Sequence, residues 1–283
     1  MKLLVTSKTP YRLFQYVLDE ISDGEIDRVL FTQGTGLETF QDFYDIKSDE
    51  ILALGGGEAI DVAKYIGALN RCNVKVIPTI VSTDAMFTSS TAYRSKGYVK
   101  YMKTKKPDEV IILKDVILSA EPRYNAAGWG DVVSIYTATF EWKRFPDFNE
   151  KLARRAMNLL TNIVPIIDSK ALDKLLSSLR EEVRLCEEYN KPMLEEGSEH
   201  FFAYCLERYL KRKALHGELV GLGVYKIAQT QDQDIEYISN LMDYAGLFWR
   251  PEQLGIPEEL ITKVMKRLPL YRRIYGYNKP IEL

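Results

Sequence analysis

The chain has 283 residues, 46% hydrophobic and 28% charged, which supplies ample material for a packed core and shows none of the bias of a disordered protein. Its 38 basic and 40 acidic side chains leave a formal net charge of −2, so no overall field draws it to nucleic acid or an anionic membrane, and a small molecule is the expected partner. At this length two domains are the default, because a single core stops growing near this size.

The first hundred or so residues alternate apolar β-type runs with helical patterns: LLVT then TPYRLFQYVLDEI, RVLFT then GLETFQDFYDI, EILALGGG then EAIDVAKYIGALN, and VKVIPTIVS. That alternation predicts a parallel sheet with helices on its faces. STAYRSKGYVKYMK reads as a hairpin around Ser95-Lys96-Gly97, and PDEVIILK as one more strand. Beyond Glu121-Pro122 the pattern turns helical, in DVVSIYTATFEWKR, KLARRAMNLLTNIVPIID, ALDKLLSSLREEVRLCEEYN, SEHFFAYCLERYLKRK, HGELVGLGVYKIAQ and PEELITKVMKRL. The expected organisation is an α/β nucleotide-binding domain over residues 1–120 and an all-α metal- and substrate-binding domain over 121–283, with a cleft between them as the natural ligand site.

Cys72, Cys186 and Cys205 form no CxxC pair and leave one thiol over if two pair, which fits a reducing, cytoplasmic setting. MKLLVTSKTPYRL has too short an apolar run for an export signal, and no stretch of about 18 apolar residues exists, so a soluble protein with no membrane contact is expected.

Gly55-Gly56-Gly57 stands between a strand and a helix, where the backbone can turn tightly and the helix N-terminus can receive a phosphate. The run is not GxGxxG, and alone it reads equally as a tight connection. Both histidines, His200 and His216, lie in GSEHFFAYCLERYLKRKALHGE, sixteen positions apart and therefore beyond one helical face. A divalent metal takes three or four ligands, which two imidazoles and a carboxylate from three helix ends can supply; a lone histidine pair reads equally as core or surface residues.

GGGEAIDVAK, PTIVSTDAMFTSS, AAGWGD and GSEH followed by LHGE occur in the order found in the iron-containing alcohol dehydrogenase and dehydroquinate synthase-like superfamily, and the chain resembles its glycerol-1-phosphate and glycerol dehydrogenase branch over roughly residues 2–255. The resemblance implies a Rossmann-like domain followed by a helical one, an NAD or NADP cofactor, and a divalent metal, zinc first and iron, nickel or manganese as alternatives. It places the metal on Asp131, His200 and His216, with Asp131 at a helix start. Asp84 would face the substrate hydroxyls, and Gly55, Gly56, Gly57, Asp61, Thr79 and Ser82 the cofactor. Glu199 and Glu218 stand where they can orient the imidazoles, cap helices or meet solvent.

Two departures stand out. Relatives carry a strand and helix before KLLVTSKTPYRL, and the turn Ser7-Lys8-Thr9, whose Ser7 and Thr9 would touch the cofactor, lacks the acidic residue of NAD-preferring relatives, which opens the site to NADP. The basic runs Lys100 to Lys106 and Lys211-Arg212-Lys213 read as solvated faces, the second also as a phosphate contact. The expected activity is a metal-dependent NAD(P)-linked dehydrogenase of a small polyol, hydroxy-phosphate or ketone, in a homo-oligomer. A dehydroquinate synthase-like lyase, or a metal-binding relative without a cofactor, are the alternatives.

Overall fold

A computed structural model describes the chain except residues 23, 191, 211–213, 276–280 and 283, and the side chains of 38, 192, 272–275, 281 and 282. Two compact units emerge, one of Met1–Ile80, Ala85–Ala120 and Lys279–Leu283, the other of Val81–Asp84 and Glu121–Asn278. The basic run Lys211-Arg212-Lys213 lies outside the described residues.

The first unit runs β1 (Lys2–Thr6), α1 (Lys8–Phe14), α2 (Tyr16–Ile21), β2 (Arg28–Phe31), α3 (Leu37–Asp42), β3 (Glu50–Gly55), α4 (Gly57–Asn70), β4 (Asn73–Pro78), β5 (Ser90–Ser95), β6 (Tyr98–Lys103), β7 (Glu109–Val110) and α5 (Lys114–Leu118). Five strands pair in the order β2-β1-β3-β4-β7, every ladder parallel. The central strands read as unbroken apolar runs because both faces are covered: Leu3, Leu4, Val5, Ile51, Leu52 and Leu54 are buried, and Leu4, Leu52, Leu54 and Ile77 share one cluster with Val17, Leu18 and Val116. The order reverses between β1 and β3, where doubly wound sheets bind their ligands, and Thr6 pairs there with Leu54.

Two expectations need correcting. TPYRLFQYVLDEI is two helices, since Leu18 donates to the carbonyl of Gln15 at 3.0 Å in one tight turn, which brings Val17 and Leu18 onto the cluster already holding Tyr11 and Phe14. PDEVIILK contributes only Glu109 and Val110 as strand, because the chain leaves the sheet edge after Ile111 donates to Val76. The hairpin forms as expected, β5 against β6 with Lys96 and Gly97 at positive φ in its turn.

The second unit is helical: α6 (Pro122–Ala126), α7 (Trp129–Trp142), α8 (Glu150–Met157), α9 (Ser169–Tyr189), α10 (Ser198–Glu207), α11 (His216–Thr230), α12 (Ile235–Tyr244), α13 (Pro251–Leu254) and α14 (Glu258–Tyr275). KLARRAMNLLTNIVPIID is helical only to Met157, then tightens into a 3-10 turn over Asn158–Asn162. Just before Pro165, which cannot continue a helix, the Val164 carbonyl accepts from Trp129 Nε1 at 2.9 Å. Helix α12 went unread in the sequence; Asp234 caps it by accepting from the Tyr237 N–H, and Ile238 and Met242, one turn apart, bury its inner face. No helix among the described residues is long and apolar enough to cross a membrane.

Candidate metal centre

Three helix N-termini deliver three side chains to one point. Asp131 stands in the first turn of α7, His200 in the first turn of α10, and His216 opens α11. Their ligand atoms lie within 4.8 Å of one another. His216 Nε2 is 3.6 Å from Asp131 Oδ1, and His200 Nε2 is 3.9 Å from the same oxygen.

Glycines make this convergence possible. A Cβ on Gly130 would meet Gly217 Cα at 2.2 Å, and one on Gly217 would meet the Ala127 carbonyl oxygen at 1.8 Å. The residue before Asp131 therefore lies directly against the residue after His216, backbone to backbone. Helix α11 also contains Gly221 and Gly223, and a Cβ at Gly223 would sit 2.5 Å from the Glu199 carbonyl oxygen on α10. Each interior glycine costs about 1 kcal/mol of helix propensity relative to alanine, so α11 is held by packing and not by its own preference. Gly130→Ala is expected to force α7 and α11 apart, lowering stability by about 3 kcal/mol or more in a denaturant melt and removing bound metal from the purified protein.

The environment of the three groups suits a cation. Asp131 is buried and its Oδ1 has no hydrogen-bond partner, while its Oδ2 accepts from the Asp84 backbone N–H at 3.3 Å. Burial drives the Asp131 pKa up to about 7, with Glu195 adding to the rise and His200 opposing it. Burial acts to lower His200, but its hydrogen bond to Glu199 and the charges of Glu199, Glu196 and Asp131 outweigh that and raise it to about 9. An imidazole holding a proton against a carboxylate with no donor is the arrangement a divalent ion replaces, and the nitrogen–nitrogen–oxygen donor set fits one.

The surrounding residues hold the imidazoles still. His200 Nδ1 is 3.1 Å from Glu199 Oε1, which leaves Nε2 toward Asp131, and Glu199 in turn accepts from Thr137 Oγ1 at 2.8 Å and from the Gly197 N–H. Glu218 is fully buried and paired with Arg123, whose Nη2 donates at 2.7 Å. Tyr204, one turn after His200, stacks on the His216 ring at 5.8 Å and donates to Glu196 at 2.7 Å.

Tyr204, Thr137 and the acidic side chains Glu182, Glu195 and Glu196 had not been read from the sequence. Tyr204 was accessible through its i+4 spacing from His200. Glu182 continues the buried stripe Leu172, Leu175, Leu179 of α9, and a charged residue on a core stripe was the available signal. Burial and the neighbouring Glu195, Asp131 and Asp84 push its pKa well above the carboxylate range.

In the first unit, Gly55-Gly56-Gly57 carries the chain from β3 into α4 with Gly55 at φ +155°, and no side chain caps the helix. Added Cβ atoms at Gly55 and Gly56 would come within 3.0 Å of Ala59 Cβ and of Ile80, so the turn keeps open a concavity that side chains would fill, as a phosphate cradle requires. Ser7 follows the neighbouring strand β1, ahead of α1, which contains Thr9, and Thr79 donates its N–H to the Gly55 carbonyl at 3.1 Å. Asp61 is held inside the unit: it pairs with the fully buried Lys64 at 3.0 Å and accepts the Ala92 N–H, anchoring the hairpin to α4. Ser82 is buried in the second unit, and half-buried Asp84 is tied to Asp131 there.

The first unit is thus a doubly wound sheet with a glycine turn at its switch point, and the second is helical with a two-histidine, one-carboxylate cluster. The family profile described as iron-containing alcohol dehydrogenase matches residues 3–121. Over those residues the chain is similar to the iron-containing alcohol dehydrogenase family. A glycerol-1-phosphate dehydrogenase [NAD(P)+] of Aeropyrum pernix is 29% identical over 249 residues, covering 83% of this chain and 70% of the relative. One from Sulfurisphaera tokodaii is 30% identical over 229 residues, covering 76% of this chain and 65% of the relative. The chain thus spans about two thirds of the length of these relatives. Among solved structures, a probable glycerol dehydrogenase of Sinorhizobium meliloti superimposes with a TM-score of 0.76 at 19% identity, over 94% of this chain and 82% of that one, and shares the fold.

Proposed function

We propose that the chain is a metal-dependent, NAD(P)-linked dehydrogenase of a small polyol or the corresponding ketone. One observation carries the reading: the buried, donor-free Asp131 Oδ1 faced by the Nε2 atoms of two histidines. The relatives named glycerol-1-phosphate dehydrogenase support a three-carbon polyol as the substrate.

Asp131, His200 and His216 hold the metal, zinc by the donor set. Glu199 fixes the His200 tautomer by receiving the Nδ1 proton, and Tyr204 keeps the His216 ring in plane. Asp84, fastened through its N–H to Asp131, offers its carboxylate to a substrate hydroxyl. Gly55, Gly56 and Gly57 receive the cofactor pyrophosphate; Ser7 and Thr9, bearing no charge to repel a 2′-phosphate, admit NADP beside NAD. When bound, the metal would supply Lewis acidity and the nicotinamide a hydride acceptor, for a reaction in which alcohol and NAD(P)+ give ketone, NAD(P)H and a proton. The three free cysteines are consistent with a reducing compartment.

The test is cofactor absorbance with zinc-loaded protein, NADH or NADPH, and dihydroxyacetone or its phosphate. Oxidation of the cofactor that falls at least about a hundredfold in His216→Ala is the expected result. No binding of either nucleotide by protein carrying one metal per chain rejects the reading.

A further inference from the structure

Lys64, two turns into α4, is fully buried. Its ammonium group stands 3.0 Å from Asp61 Oδ1 and donates to the Ala85 carbonyl at 2.9 Å, to Thr88 Oγ1 at 3.4 Å and to the Ser90 carbonyl. An ammonium has three N–H donors, and here they are shared among these oxygens with none left for a ligand. Lys64 therefore touches neither substrate nor nucleotide, and any part it plays in turnover is exerted through the chain it grips.

That chain is the connection from β4 to β5. Thr79 to Ser89 form neither helix nor strand, yet Val81, Ala85, Met86 and Phe87 along it are buried. Carbonyls buried outside regular structure need donors from elsewhere, and Lys64 brings them to Ala85 and to Ser90, the first residue of β5. Ala85 directly follows Asp84, whose own N–H is held by Asp131 Oδ2 at 3.3 Å. The backbone that carries the Asp84 side chain is thus tethered on both sides. The Asp61–Lys64 ion pair alone does not account for a lysine here, because neutral groups of similar shape often replace a buried pair without loss of stability. What an apolar side chain cannot supply is the donors to the two carbonyls.

Resting on the dehydrogenase reading above, we infer that Lys64 is a positioning residue: by gripping the Ala85 and Ser90 carbonyls it fixes the backbone on which Asp84 meets the substrate hydroxyl. Without the grip Asp84 loses its aim, while the metal and the nucleotide still bind.

Steady-state kinetics of the zinc-loaded full chain with NADH or NADPH and dihydroxyacetone or its phosphate test this in Lys64→Met and in Asp61→Asn combined with Lys64→Met. Both variants are expected to keep one metal per chain and to bind nucleotide within about threefold of the parent, while kcat falls about a hundredfold, the scale set by misplacing a reacting group by about 1 Å. The combined variant removes the ion pair as a unit, so it carries the test if the single one fails to fold. Added to Asp84→Asn, Lys64→Met is expected to cost at most about threefold more, since the lysine acts through Asp84. Parental kcat in the combined variant shows that Lys64 only neutralises Asp61, and full multiplication of the Lys64 and Asp84 losses shows that it acts elsewhere; either result overturns the inference. A parent chain that oxidises neither nucleotide with either ketone rejects the dehydrogenase reading instead. The grip is then read from hydrogen exchange at the amides of residues 84–90: opening faster by about tenfold or more in the combined variant, with α4 unchanged, upholds it, and unchanged exchange overturns it.

Discussion

Asp131→Asn is expected to lower metal affinity about a thousandfold or more and, in the metal-free state, to raise the melting temperature. The two effects have one origin. Asp131 Oδ1 is buried with no donor, so in the apo-protein the carboxyl group is a liability that an amide of the same shape relieves. With the ion present the same oxygen is a ligand that the amide cannot replace as an anion. Metal analysis and melts of loaded and stripped protein check both halves. A variant that keeps its metal, or that melts lower than the parent when both are stripped, shows that Asp131 is a structural acid and not a ligand.

The stripped protein is further expected to lose stability steadily from pH 5.5 to 9, by about 5–10 °C in melting temperature, and the loaded protein to lose much less. The direction follows from which state holds more protons. Asp131, shifted from 3.8 to about 7, and His200, shifted from 6.5 to about 9, both keep protons in the folded chain that the unfolded chain has released, and Glu182 does the same. Stability from such groups is complete below the unfolded pKa and disappears as pH rises through the folded one. The groups with lowered values, Glu50, Asp108, Glu181 and Asp243, act the opposite way but are ionised in both states across this window. Because the ion takes the place of the protons on Asp131 and His200, binding releases protons and affinity rises with pH. A stripped protein that gains stability toward pH 9 contradicts this account.

Much of the architecture was legible because it rests on local chemistry. Leu3 to Val5, Ile51 to Leu54 and Val74 to Ile77 are apolar at nearly every position, and only a strand covered on both faces tolerates that. Boundaries were less legible wherever a tertiary contact sets them: α2 breaks from α1 to reach a shared cluster, and β7 is short because the chain leaves the edge. Helix α12 carries the same local signals, an Asp234 cap and Ile235, Ile238 and Met242 at helical spacing, but over only ten residues between two other helices.

The sequence by itself determined that a sheet of alternating βα type would precede a helical half, that a glycine turn would join β3 to α4, and that two histidines and the aspartate of a glycine turn would open three helices. Those are consequences of periodicity, capping and backbone sterics, which act over a few residues. Only the tertiary structure decided that Gly130 rests on Gly217, so that Asp131 and His216 meet, and that Glu182, buried on a leucine stripe, faces Glu195. Contacts between helices far apart in the chain depend on how closely two backbones approach and on which carboxylates lose water together, and neither is written in the neighbours of any one residue.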